Sequence, residues 1–219
     1  MLMKSPMMAL ISDIHGNYEA LSSILKDISS KGIKNIICLG DTSGYYSEIN
    51  KCCDKLRSLN IPTLLGNHDY YIISEQKCRR SNSVNKCIQY QKNIISNENL
   101  LWLRSLKPIA QFGEINAVHG GWHDPLEEYV DPTAIQWEQM KGKYFASGHT
   151  HVPAVVSYKE KLYCNPGSVG QPRDGDVRAS YAIFDGCNFY LFRVQYDFRV
   201  TQLKMKDAGF SEYFYKNLA

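Results

Sequence analysis

The sequence predicts an α/β fold in which the ends of several strands carry metal-type ligands. Three observations lead there. A strand, a helix and a second strand fill residues 7–39, the spacing of a βαβ unit. The C-terminal third reads as short strands in two hairpins. Between and around them, five polar clusters each directly follow an apolar run of strand length. The clusters are Asp13-Ile14-His15, Gly40-Asp41, Gly66-Asn67-His68-Asp69, His119-Gly120 and Gly148-His149-Thr150-His151. Strand ends are where α/β sheets bind ligands.

The elements follow in order. Residues 7–12 form the first strand, and Asn17 caps a helix over 19–30 whose Leu21, Ile24, Leu25 and Ile28 share one face. Gly32 ends that helix, and 34–39 returns as a strand. Ser47 caps a helix reaching Asn60, with Pro62 as its stop and Thr63–Leu65 as a short third strand. Asp69 is read as an N-cap for the segment after it. Residues 74–107 carry no strand pattern; 84–95 and 96–106 have helical spacing, a helical insertion in a single domain over 1–219. Residues 109–112 and 114–118 are strands joined at Gly113. Asp131-Pro132 starts a helix, with Asp as N-cap and Pro at the first helical position. Residues 144–146 form a strand, 154–158 pairs with 161–164, and 180–184 pairs with 188–196 across Asp185-Gly186. Two short helices, 200–205 and 212–218, close the chain.

Composition excludes several classes. The chain has 219 residues, 44% hydrophobic and 21% charged, with a net charge of +3. That charge gives no basis for a nucleic-acid surface or membrane binding. No apolar stretch approaches the length of a membrane span, and Met7–Ile11 is too short for a signal sequence. The seven cysteines are odd in number and contain no C-x-x-C, so they read as reduced thiols of a cytoplasmic protein rather than disulfides or a zinc site.

Of six histidines, five lie in the clusters. Asp, His and Asn together are ligands for a hard-to-borderline divalent ion. In extended backbone, Asp13-x-His15 and His149-x-His151 would each put both side chains on one face. Singly, each residue has an ordinary alternative: an Asp after a strand is commonly a turn residue, and His119 could be a core histidine.

The five blocks, D-x-H, G-D, G-N-H-D, a lone His and G-H-x-H, in that order over about 140 residues, resemble the calcineurin-like metallophosphoesterases. The segment Asn165–Arg173 is similar to that of the small bacterial single-domain branch. The resemblance implies a two-sheet β-sandwich flanked by helices. It implies two divalent ions, for which Mn2+, Fe and Zn2+ all suit mixed N/O ligands. One would be held by Asp13, His15, Asp41 and His151, the other by Asp41, Asn67, His119 and His149, with Asp41 as the bridge. His68 would contact the phosphoryl group and protonate the leaving oxygen. Such a centre neutralises the phosphoryl oxygens and acidifies a bridging water to hydroxide.

The expected substrate is a small phosphorylated molecule, a phosphodiester or phosphomonoester of nucleotide-like kind. Arg173 could pair with its phosphate, or with Asp174 or Asp176. Trp122 and His123 could form a substrate wall, and Arg79 and Arg80 either reach substrate or sit in solvent. The run Gly44-Tyr45-Tyr46-Ser47 stands where Tyr-Gly-Pro is frequent in that branch, and the Asp-Arg-Gly run of phosphoprotein phosphatases is missing. A nuclease and a non-catalytic metal-binding scaffold are the competing readings. Retention of His68 and every ligand weighs against the scaffold.

Overall fold

The computed structural model describes residues 7–135 and 137–218. The elements are β1 Met8–Ile11, α1 Tyr18–Ser30, β2 Asn35–Cys38, α2 Ile49–Ser58, α3 Asn67–Ile73, α4 Asn82–Ile94, α5 Asn97–Ser105, β3 Ile109–Phe112 and β4 Ile115–Val118, then β5 Tyr144–Ser147, β6 Ala154–Tyr158, β7 Lys161–Asn165, β8 Ala179–Phe184, β9 Phe189–Val194 and α6 Phe198–Asp207. They build two sheets, of order β2-β1-β8-β9 and β3-β4-β5-β7-β6. The two-sheet α/β architecture expected from the sequence is present.

Strand alternation explains the layers. Leu10, Ile37, Ala182 and Phe184 point from the first sheet into a core shared with Ile115, Ala117, Tyr144, Ala146 and Cys164 of the second. The intervening Ala9, Ile11, Tyr181 and Ile183 face the other way, onto Leu21, Ile24 and Ile28 of α1 and Cys52 and Leu56 of α2. β1 is therefore apolar on both faces, which is why it reads as a continuous hydrophobic run. On the second sheet's outer face, Phe145 and Tyr163 are covered by Trp122, Val130 and Trp137 rather than by an α-helix. Asn17 caps α1 by accepting the Ala20 N–H, and Ser96 caps α5 by accepting that of Asn99. All seven cysteines are free thiols, six of them buried. No described helix is long and apolar enough to cross a membrane.

Five local expectations are corrected. Thr63–Leu65 makes only a parallel bridge from Thr63 to Cys38, because Leu65 N–H turns away to the Lys107 carbonyl. α2 starts after Glu48, with no side-chain cap from Ser47; the Glu48 carboxylate pairs with Lys51 and Lys204 instead. Asp69 lies inside α3, a helix the sequence pattern did not show, and its carboxylate reaches back to the Gly66 N–H. Asp131 caps only a turn, through Thr133, and a 3-10 turn Trp137–Gln139 follows. The Trp137 ring packs on Phe145 while its Nε1–H bonds the Pro132 carbonyl, which holds the segment irregular. The last expected helix is two 3-10 turns, Glu212–Phe214 and Lys216–Leu218, whose Phe214, Tyr215 and Leu218 pack around Tyr46.

Candidate metal centre

Parallel pairing sets the site. β1 runs parallel to β2, and β4 parallel to β5, so their C-terminal ends lie at one edge of each sheet. Asp13 and His15 follow β1, Asp41 follows β2, His119 follows β4, and His149 and His151 follow β5. Asn67 and His68 open α3. Seven of these eight, all but His68, are the expected ligands, and all eight are buried.

The spacing argument for D-x-H and H-x-H needs correction. Asp13, His15, Asp41, His149 and His151 all have positive φ, between 55° and 66°. Extended alternation does not set these side chains; left-handed kinks at alternate residues, with Ile14 and Thr150 between them, do. This conformation costs roughly 1–2 kcal/mol for a residue with a side chain. Backbone bonds offset it: Asp13 N–H donates to the Gly40 carbonyl, and Ile14 and His15 N–H both donate to the Asp41 carbonyl. The segment Asn165–Gly170 braces the same loops. Asn165 donates to the Gly148 carbonyl, and Ser168 Oγ and Gly170 N–H donate to that of Asp13.

The ring orientations follow from carbonyl partners. Nδ1 of His15, His119 and His151 lies 2.8, 2.8 and 2.6 Å from the carbonyls of Ser43, Leu39 and Gln171. A carbonyl only accepts, so each Nδ1 carries the proton and each Nε2 presents a lone pair inward. His15 and His151 Nε2 are then 2.9 Å apart with no proton between them. His119 Nε2 lies 3.2 Å from Asn67 Oδ1. Asp41 Oδ2 sits 3.7 Å from His15 Nε2 and 3.5 Å from His119 Nε2, and has no hydrogen-bond donor. His149 Nε2 is likewise buried without a partner. A buried set of acceptors facing one another is unfavourable alone and complementary to cations. Three overlapping groups can each hold an ion: Asp13, His15, His151; His15, Asp41, His68; and Asp41, His119, His149.

Electrostatics agree. Burial lowers the imidazoles, His119 to about 4 and His149 to about 2, which leaves them neutral at neutral pH, the form in which imidazole binds metals. Burial pushes Asp13 up to about 7, and burial with the Asp69 and Asp13 charges raises Asp41. Cation binding at Asp13 would therefore displace a proton, increasingly as pH falls through about 7. Calorimetry of Mn2+ uptake in buffers of unequal ionisation enthalpy is expected to show more proton release at pH 6 than at pH 8.5, by at least about half a proton. Equal release would contradict a buried Asp13 ligand.

Asp69 is a brace rather than a ligand. Its carboxylate accepts from the backbone N–H groups of Gly66, Thr42 and Ser43, tying α3 to the β2 loop. Gly66 itself has no room: a Cβ there would overlap Asp41 Oδ1 and the Asp41 backbone nitrogen. Gly66→Ala, which alters no ligand, is expected to weaken metal binding at least about ten-fold by displacing Asp41. Equilibrium dialysis against Mn2+ measures it, and parental affinity would mean the loop yields freely.

A cavity of about 260 Å³ lies over these residues. Arg173 lines it, donating to Tyr45 Oη and Gln171 Oε1. Asp174 and Asp176 pair with Arg193 and Arg178 instead. Arg80 also lines the cavity, paired with Glu127 and lying over the Tyr129 ring; the pattern around it had shown only a polar stretch. Tyr45 and Tyr129 complete the walls, and no sequence signal marked Tyr129. Trp122 and His123 are elsewhere. Trp122 packs edge-on to Phe145, and Trp122 and His123 line a different cavity of about 250 Å³.

Comparison with known proteins agrees with this geometry. The calcineurin-like phosphoesterase superfamily domain matches residues 7–188. The chain belongs to this superfamily. A curated relative, an uncharacterised protein of Methanocaldococcus jannaschii, is 37% identical over 93% of each chain. A metallophosphoesterase from Sphaerobacter thermophilus superposes with a TM-score of 0.85 at 30% identity, over 98% of both chains. A hypothetical protein from Pyrococcus horikoshii shares the fold, with a TM-score of 0.88 at 20% identity over 98% of both chains. In the run Gly44-Tyr45-Tyr46-Ser47, which stands where Tyr-Gly-Pro is frequent, the Tyr45 ring lies against those of His15 and His68, and Tyr46 lies behind it.

Proposed function

We propose that the chain is a dinuclear-metal-dependent phosphoesterase. It hydrolyses a phosphodiester, or a phosphomonoester, of a small nucleotide-like molecule. The observation that supports this most is the inward-facing acceptor set centred on Asp41 Oδ2, which has ring nitrogens of His15 and His119 on two sides and no donor of its own. Asp13, His15, Asp41 and His151 hold one ion; Asp41, Asn67, His119 and His149 hold the other. Mn2+, Fe or Zn2+ there would supply positive charge to the phosphoryl oxygens and acidify a water.

The chain's own groups do the rest. The carbonyls behind His15, His119 and His151 keep each ring in one tautomer and one orientation. His68, packed against the His15 and Tyr45 rings, lines the cavity and donates a proton to the leaving oxygen. Burial and the His119 charge hold its pKa at about 3, and an anionic substrate opposes that shift by favouring the charged ring. Arg173 gives the cavity a cation with no carboxylate partner among the described residues, suited to a phosphate oxygen.

Hydrolysis of an aryl phosphomonoester and a bis-aryl phosphodiester, in EDTA and with Mn2+ restored, tests the reading. Mn2+-dependent turnover that EDTA abolishes is the expected result, with the diester favoured. Two bound ions per chain and no turnover of either ester would favour a metal-binding scaffold.

A further inference from the structure

We propose that a second cavity, opening beside the metal centre, seats the nucleobase of the substrate. This rests on the phosphoesterase reading and deepens it. The cavity holds about 340 Å³ and shares two wall residues, Tyr45 and Arg173, with the cavity over the metal-type ligands. The two spaces thus adjoin at one arginine and one tyrosine ring.

The chemistry of the walls points to an aromatic, anionic occupant. Tyr46, Phe214 and Tyr215 belong to a packed cluster with Met205 and Leu218 and form a fixed aromatic floor. Tyr213 differs. It is 66% exposed, and its ring contact is a perpendicular one with Phe214, so most of the ring stays open to an occupant. Among the described residues, Arg173 and Lys216 are the charged ones of this cavity, and none that lines it is acidic. The cavity on the other side of Tyr129 is aromatic too, but Glu128 and Asp131 line it, which repels a nucleotide. Arg173 stands at the junction, its guanidinium 5.8 Å from the centre of the Tyr45 ring. A phosphoryl group over the metal centre would meet Arg173 first, with the base beyond it. Stacking on tyrosine tolerates any base, so the cavity recognises nucleotides as a class.

The test compares two diesters that release the same nitrophenolate: the p-nitrophenyl ester of thymidine 5′-monophosphate and methyl p-nitrophenyl phosphate. Each is assayed with Mn2+ in the parent, Tyr213→Ala and Tyr213→Phe. The parent is expected to favour the nucleotide ester in kcat/KM by at least about ten-fold, a preference that Tyr213→Phe keeps and Tyr213→Ala largely loses. A parent without preference, or a preference unchanged in Tyr213→Ala, would overturn the proposal. If neither ester is turned over, the phosphoesterase reading fails by itself. The cavity is then read by calorimetric binding of thymidine 5′-monophosphate, where equal affinity in parent and Tyr213→Ala overturns it.

Discussion

Asp41→Asn is expected to lower kcat/KM for a bis-aryl phosphodiester at least about 1,000-fold, a loss of about 4 kcal/mol in transition-state stabilisation. Asn keeps the shape and can still accept the His68 N–H, which Asp41 Oδ1 takes at 2.9 Å. It can also occupy the left-handed backbone. What it loses is the charge between the two candidate ion positions, on the oxygen that has no other partner. The same change is expected to stabilise the metal-free protein. Asp41 has its folded pKa raised by burial and by the Asp69 and Asp13 charges. A raised carboxyl contributes no penalty while it is protonated in both states, and an increasing one as pH climbs above its unfolded value. The gain from Asn should therefore be absent in acid and grow toward alkaline pH. Thermal unfolding in EDTA at several pH values, alongside turnover with Mn2+, checks both halves. Parental turnover, or a variant less stable than the parent in EDTA at pH 8, would remove Asp41 from the bridging position.

His68→Asn is expected to separate metal holding from chemistry. His68 is not among the seven expected ligands, yet its ring centre lies 4.7 Å from that of His15 and 5.0 Å from that of Tyr45. Loss of a positioned proton donor lowers turnover by about 100- to 10,000-fold. Metal content, measured by elemental analysis after dialysis, should match the parent. Full turnover at unchanged metal content would show that the leaving oxygen takes its proton elsewhere.

How much of this was visible beforehand divides along physical lines. The β1-α1-β2 unit was legible because Leu21, Ile24, Leu25 and Ile28 repeat at helical period between two apolar runs, and all four are buried in the structure. The ligand-type residues were legible because each follows an apolar run, a pattern that survives any error in strand boundaries. Their backbone was not legible. Left-handed φ at Asp13, His15, Asp41, His149 and His151 leaves no trace in spacing, since pattern rules assume repeating geometry. α3 was hidden because its first turn is made of Asn67, His68 and Asp69, residues that read as site rather than helix. Tyr129 and Glu127 reach the cavity rim through tertiary folding of an irregular loop, which has no period to detect. Arg80 stands in a polar stretch, where its contacts with Glu127 and the Tyr129 ring separate it from Arg79.

The centre draws on both sheets at once. Asp13, His15 and Asp41 end strands of one, and His119, His149 and His151 end strands of the other, with the Asp13 carboxylate already accepting the His149 N–H. Ions bound there would act as a rivet through the open rim of the sandwich, fastening two layers whose shared core is made of greasy side chains. The molecule's resistance to heat then becomes partly a property of the metal supply around it. A cell short of the ion would hold a protein less firmly fastened along that edge.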